Sequence, residues 1–277
     1  MRTKTVRHHD RPVRRRSRFG YDHRFWGELP EADRLQPTYW GTTRRPLPCL
    51  AFIAPLLLAY EAGVFLIGGA SADALRTGAD AWMRRGLNLI GFTDQWVLPL
   101  GLVFALIGWQ AFTPRSWRFG PLTLIGMAAE SLILAVALVG MSRLLDHGFV
   151  TLERHTSPPL QSAGGSSLAP FVGFLGAGIY EEALFRLALI PLLFWTLRLL
   201  QAPKVLASTA AITASALLFS LAHHAGTPGE SFTWFAFIFR WLAGIYFAWV
   251  FVVRGFGVAV GTHTAYDILV GWFGWHF

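Results

Sequence analysis

Apolar residues run along this chain in seven stretches, at 48–69, 95–113, 121–142, 168–200, 205–225, 231–253 and 255–275. A spanning helix needs about 20 such residues, so the pattern predicts seven membrane-crossing segments. The fourth stretch is too long for one straight span. It should begin as a shallow or broken helix around Pro170–Gly178 and continue as a true span from about Tyr180. Pro191 should kink it, because proline lacks an N–H and its ring crowds the preceding turn. Residues Ala72–Arg85 are amphipathic and predict an eighth element lying on the surface. The expected fold is all-α, a polytopic membrane helix bundle of about 7–8 transmembrane helices.

Composition points the same way. Of the 277 residues 53% are hydrophobic and only 14% charged, against about 25% charged in soluble domains. The 12 Trp and 23 Phe suit lipid-facing and interfacial positions, where aromatic belts form. A single cysteine, Cys49, excludes an intrachain disulfide and a cysteine-based zinc site.

The charge is uneven. Residues 1–46 hold twelve Arg and Lys against five Asp and Glu, so +7 of the formal +8 lies there. Ahead of a first span, such a segment fixes topology and touches anionic lipid; no nucleic acid partner is expected. The chain thus divides into a basic, cytoplasmic and partly disordered tail, 1–46, and an integral membrane domain, 47–277. The first 30 residues hold no apolar run, so no cleaved signal peptide is expected. Arg115 and Arg118, Arg198 and Lys204, and Arg254 fall in alternate loops, on the tail's side of a seven-span topology. The positive-inside rule puts that side, with the N-terminus, in the cytoplasm of a plasma or inner membrane. Arg76, Arg84 and Arg85 run against the rule.

Charged side chains at membrane depth carry the candidate chemistry. Each costs about 2.5–3.5 kcal/mol at a helix centre on insertion scales, and is tolerated where it faces a protein-lined cavity. The run Glu181-Glu182-Ala183-Leu184-Phe185-Arg186 puts three of them in the fourth stretch. Glu182 and Arg186 are four apart, so they share a helix face and can pair. Glu181 points about 100° away. One carboxylate is then held and the other left free, a candidate general base. The competing reading is a structural ion pair with a spare glutamate at a wet crevice.

Phe219 and His223 lie one turn apart at the end of the fifth stretch, and His263 and Asp267 one turn apart in the seventh. A carboxylate one turn from a histidine can fix its tautomer and orientation. Taken singly, His223 reads better as an interfacial histidine at a helix end, and His263 reads as well as a buried, paired one. Together with Glu181 they read as a hydrolytic site within the bundle. Helix arithmetic, at about 1.5 Å per residue, lets the groups converge in the outer half of the bilayer. Glu61, Glu130 and Arg240 are the remaining intramembrane charges. Arg240 is expected to pair with one of those glutamates or with a substrate carboxylate. Phe219 and Arg240 are kept as structural or substrate-binding candidates.

E-E-x-x-x-R at 181–186, F-x-x-x-H at 219–223 and H-x-x-x-D at 263–267, in that order on successive spans, resemble the CPBP intramembrane proteases. This is the CAAX-protease and bacteriocin-processing family, also called ABI. The resemblance covers about 168–275, the expected protease core. It implies a glutamate-type endopeptidase in which Glu181 and His223 activate a water. His263, supported by Asp267, would stabilise the tetrahedral oxyanion. Glu182 and Arg186 would shape the site and bind substrate. The family commonly has Asn where Asp267 stands, and an anionic carboxylate cannot donate the amide's hydrogen bond.

The implied substrate is a membrane-anchored protein or peptide: a prenylated CAAX terminus, a bacteriocin leader or a C-terminal sorting tail. The family is also described as metal-dependent. Glu181, His223 and His263 would then form a 2-His-1-carboxylate set for a divalent ion such as zinc. The expectation is no cofactor, since there is no H-E-x-x-H helix and no cysteine ligand. Two other classes compete: a non-enzymatic membrane binding or immunity protein that keeps the fold, and a transporter. Transporters commonly carry repeated halves with paired broken helices, and no such repeat is visible here.

Overall fold

A computed structural model of the chain describes residues 38–68, 75–152, 168–225 and 231–272. Expectations for the tail up to residue 37, and for most of the 144–166 and 224–230 loops, lie outside the described residues. Among those described, every regular element is helical. They are α1 (Tyr39–Thr43), α2 (Pro46–Gly68), α3 (Gly78–Leu89), α4 (Val97–Phe112) and α5 (Pro121–Leu152). Next comes one unbroken helical run: α6 (Ala169–Gly176), two π-helical stretches, π1 (Ala177–Glu181) and π2 (Ala183–Leu189), and α7 (Ile190–Leu199). Three more complete the bundle: α8 (Lys204–Ala222), α9 (Trp234–Arg254) and α10 (Phe256–Gly271).

All seven apolar stretches fold as helix, and the amphipathic segment becomes α3. Among the described residues four helices are long and apolar enough to cross a membrane: α2, α5 over Pro121–Phe149, α8 and α9. The other three expected spans differ. Helix α4 is apolar but has 16 residues. The fourth stretch is interrupted by its π turns, and α10 also has only 16 residues. In α10 every residue from Phe256 to Thr264 is buried within the protein. It packs on α5, π1, α9, α2 and α6, at the centre of the bundle. The chain is therefore an integral membrane protein built as a helix bundle around α10.

The fourth stretch does not break at Pro170–Gly178; it widens from Ala177 to Leu189, directly ahead of Pro191. Proline there supplies no N–H to the preceding turn and crowds its carbonyl. A π stretch, with its i→i+5 bonding, is one way a helix absorbs that disruption. Ser215 of α8 donates to the Phe185 carbonyl in π2 at 2.6 Å. Serine and threonine side chains commonly satisfy backbone groups at such irregular membrane-helix positions.

The two ends of the bundle are pinned differently. At one end Arg254 of α9 pairs with Glu130 of α5, through Nη2 to Oε2 at 2.8 Å and through Nε to Oε1. Tyr39 of α1 donates to the same carboxylate at 2.7 Å, and the Arg254 guanidinium lies 3.7 Å from the Trp40 ring centroid. The last residues of the 1–46 segment are therefore packed: Gly41, Thr42, Thr43 and Arg45 are buried. Gly255, at φ +92°, ends α9 and starts α10 in one residue. That φ favours glycine, and a Cβ there would stand 2.9 Å from Arg44 Cα. The opposite end carries α3.

Helix α10 meets π1 at Gly178, where a Cβ would lie 2.0 Å from Thr264 Oγ1 and 2.9 Å from Thr264 N. Small residues of this kind let membrane helices approach closely. The contact sets Glu181 and Glu182 against the turn of α10 that carries His263. Overpacking a tight interface costs about 1–3 kcal/mol. Gly178→Ala should therefore unfold at clearly lower temperature than wild type in detergent. Gly173→Ala, whose methyl meets nothing within 4 Å, should not. Equal midpoints for the two variants would contradict the close approach.

Candidate active site

Glu181 closes π1, and Glu182 stands between π1 and π2. A π helix turns less per residue than an α-helix because its bonds span one residue more. Adjacent side chains then diverge by less than about 100°, and both carboxylates reach one imidazole, that of His263 in α10. His263 Nδ1 donates to Glu182 Oε1 at 2.8 Å. His263 Nε2 lies 3.8 Å from Glu181 Oε2, and His223 Nε2 lies 3.8 Å from the same oxygen. His223 ends α8, where its Nδ1 donates to the Phe219 carbonyl at 2.9 Å. Two imidazoles from different helices thus turn Nε2 toward a single carboxylate oxygen. That oxygen is buried and makes no hydrogen bond.

Behind His263 stands a buried ionic group. Arg186 Nη1 lies 3.1 Å from Glu182 Oε1, a charge contact without hydrogen-bond alignment. Arg186 Nη2 donates to the Gly244 carbonyl of α9 at 3.3 Å. The guanidinium covers the Phe219 ring at 4.4 Å from its centroid, with Phe247 at 5.4 Å and Phe185 at 5.9 Å. Phe247 also stacks on the His263 ring, 4.4 Å between centroids at 13°. Phe219 meets His223 edge-on at 4.8 Å and His263 at 5.9 Å. The Glu182 and Arg186 side chains are 0% and 1% exposed, so neither presents surface to a substrate. Glu181 and His223 keep 13% and 25%, and form the open edge of the site.

The remaining candidates fall as follows. Asp267 Oδ2 is 3.7 Å from His263 Nε2, the nitrogen that also faces Glu181. The hydrogen bond that orients the His263 ring is therefore donated to Glu182, not to Asp267. Arg240 is not the counter-ion of Glu61 or Glu130. Glu61 is paired with Arg84 at 3.1 Å and Arg76 at 3.5 Å, and Glu130 with Arg254. Arg240 lies in the N-terminal half of α9, far along the helix from Arg254, and within electrostatic reach of Asp267. Phe247 and Gly244 escaped the sequence reading. Their signal was the spacing Arg240, Gly244, Phe247, which is i, i+4, i+7 on one helix face.

Two carboxylates, two imidazoles and one guanidinium meet between four helices, with the proton acceptors at the open edge and the fixed charges behind. Such an arrangement has the groups that water activation would need. Residues 164–269 match the family model described as type II CAAX prenyl endopeptidase Rce1-like. Over that segment the chain is similar to the CAAX-protease (CPBP) family of intramembrane peptide hydrolases. No curated protein and no solved structure matches the chain.

Breaking a buried ion pair by removing one partner costs about 3–5 kcal/mol. Arg186→Met should accordingly lower the thermal midpoint in detergent by far more than an ordinary surface change. Arg186→Met combined with Glu182→Met should recover part of the loss, because both charges leave together. A single Arg186→Met variant as stable as wild type would contradict the pairing.

Proposed function

We propose that this chain hydrolyses a peptide bond of a membrane-associated protein or peptide, with Glu181 as the base. The observation that carries the reading is the Glu181 Oε2 position, 3.8 Å from both His223 Nε2 and His263 Nε2. Polar groups at such a separation are spaced for one bridging water. His223, with its Nδ1 proton committed to Phe219, offers an Nε2 lone pair. A water between Glu181 and His223 gives one proton to the carboxylate as its oxygen bonds to the scissile carbonyl carbon. The carbonyl π bond opens, and the oxyanion forms beside His263. To donate from Nε2 while Nδ1 donates to Glu182, His263 acts as the imidazolium, which the buried Glu182 carboxylate stabilises. Collapse breaks the C–N bond, and the proton held by Glu181 passes to the leaving amine. Asp267 and Arg240 flank this position, and the substrate is a C-terminal tail, leader or CAAX-like segment.

A second reading keeps the site and adds a divalent metal. Zinc bound at about 2.0–2.1 Å brings tetrahedral donors to about 3.4 Å apart, so the 3.8 Å spacing would have to close slightly. Among the described residues no three His, Cys, Asp or Glu side chains already stand at metal-holding spacing. Glu181, His223 and His263 would hold the ion, which would polarise the carbonyl and acidify a bound water.

The charge distribution favours a cytoplasmic N-terminus in a plasma or inner membrane. Arg76 and Arg84, which ran against the positive-inside pattern, are spent in ion pairs with Glu61 and Asp80. They therefore weigh less as free charge on the opposite side.

General-base catalysis contributes about 10²–10⁴-fold. Comparing membrane proteomes of cells carrying wild type and Glu181→Gln should reveal a substrate cleaved only by wild type. With that substrate in liposomes, Glu181→Gln should lose about that factor in kcat. Cleavage by Glu181→Gln at the wild-type rate would refute the assignment. Activity lost to a chelator and restored by zinc would select the metal-bearing form.

A further inference from the structure

A second cluster of buried charge lies beside the site and is not used by the chemistry above. Glu61 of α2 and Asp80 of α3 face Arg76 and Arg84. Arg84 Nε lies 2.6 Å from Asp80 Oδ1 and its Nη2 3.1 Å from Glu61 Oε1. Its Nη1 also donates to the Gln95 carbonyl ahead of α4. Arg76 Nη1 is 2.9 Å from Asp80 Oδ2 and 3.5 Å from Glu61 Oε2. Two carboxylates and two guanidinium groups cancel, so the cluster is neutral as a whole. Two tyrosines complete it. Tyr60 donates to Asp80 at 2.7 Å, and Tyr180 donates to Glu61 at 2.6 Å. Tyr180 immediately precedes Glu181.

The cluster grips π1 from the face opposite α10. Tyr60 and Tyr180 pack edge to face with centroids 5.5 Å apart. The Tyr60 ring lies where a Cβ on Gly176 would be, 2.2 Å from its Cε2. Helix α3 itself packs on π1. The π stretch is thus clamped between Thr264 on one side and this network on the other. A π stretch is rare in the middle of a helix and recurs at functional sites, and the contacts around this one bear on where its side chains point.

We infer that the Tyr180–Glu61–Arg84–Asp80 network is a positioning device for Glu181, holding π1 so that the carboxylate stays aimed between His223 and His263. This rests on Glu181 being the base. Tyr180 touches neither substrate nor reacting atoms and acts only through its neighbour. Misplacing a reacting group by about 1 Å can cost on the order of 10²-fold.

Tyr180→Phe tests it, because the ring packing stays and Glu61 keeps both arginines. In liposomes, with the cleaved substrate at varied concentration, kcat should fall about 10-fold or more with KM changed less than about twofold. The thermal midpoint should stay near wild type. Glu61→Leu, which leaves the hydroxyl without an acceptor, should reproduce the kcat loss. Glu61→Gln, which keeps an acceptor, should return kcat to within about threefold of wild type. Wild-type kcat in Tyr180→Phe while Glu181→Gln is inactive would overturn the inference and leave the base assignment standing. A kcat loss that only follows the unfolded fraction, or equal losses in Glu61→Gln and Glu61→Leu, would overturn it too. Glu181→Gln cleaving normally would instead remove the reading on which it rests.

Discussion

The buried contact of Glu182 with Arg186 on one side and His263 on the other is what the rest of the site depends on. A carboxylate with no exposed surface in a lipid-embedded bundle needs a counter-charge, and Arg186 supplies it from one turn away. The same oxygen accepts from His263 Nδ1, so one ion pair fixes the orientation of a ring on a different helix. Arg186 is in turn fixed by the Gly244 carbonyl and by the Phe219 and Phe247 rings. The guanidinium joins its own helix to α8 and α9, and Glu182 carries the link on to His263 of α10, whose Nε2 faces Glu181.

That constraint puts adjacent glutamates in different surroundings. Equal residues in sequence become unequal because one faces the interior and the other the open edge. The π widening bears on this, since it brings neighbouring side chains to a smaller angle than in a regular α-helix. Gly178 and Pro191 create the conditions for it. The first admits α10 to contact distance, and the second disrupts the regular ladder just beyond the motif.

Much of this was legible in the sequence, for identifiable reasons. Hydropathy marked all seven apolar helices because burial against lipid and burial against protein use the same side chains. For that reason it could not separate α10, a short helix enclosed by protein, from a lipid-facing span. The i, i+4 spacings of Glu182/Arg186 and His263/Asp267 correctly put each pair on one helix face. What spacing could not show was which carboxylate reaches which ring nitrogen across helices. Glu182 took the orienting contact that proximity in sequence suggested for Asp267. Likewise Glu61 and Glu130 found partners in Arg76, Arg84 and Arg254, because pairing is decided by which helix ends meet. The π turns left no composition signal beyond a proline.

The central claim is that Glu182 acts on the reaction only through His263. A double-mutant cycle on kcat/KM, with Glu182→Gln, His263→Ala and both together, measures this directly. Loss of a group stabilising the oxyanion costs about 10²–10³-fold, leaving activity to compare. Glu182→Gln should reduce kcat/KM strongly in the wild-type background and have almost no further effect once His263 is alanine. Independent, multiplicative losses in the two backgrounds would contradict the account.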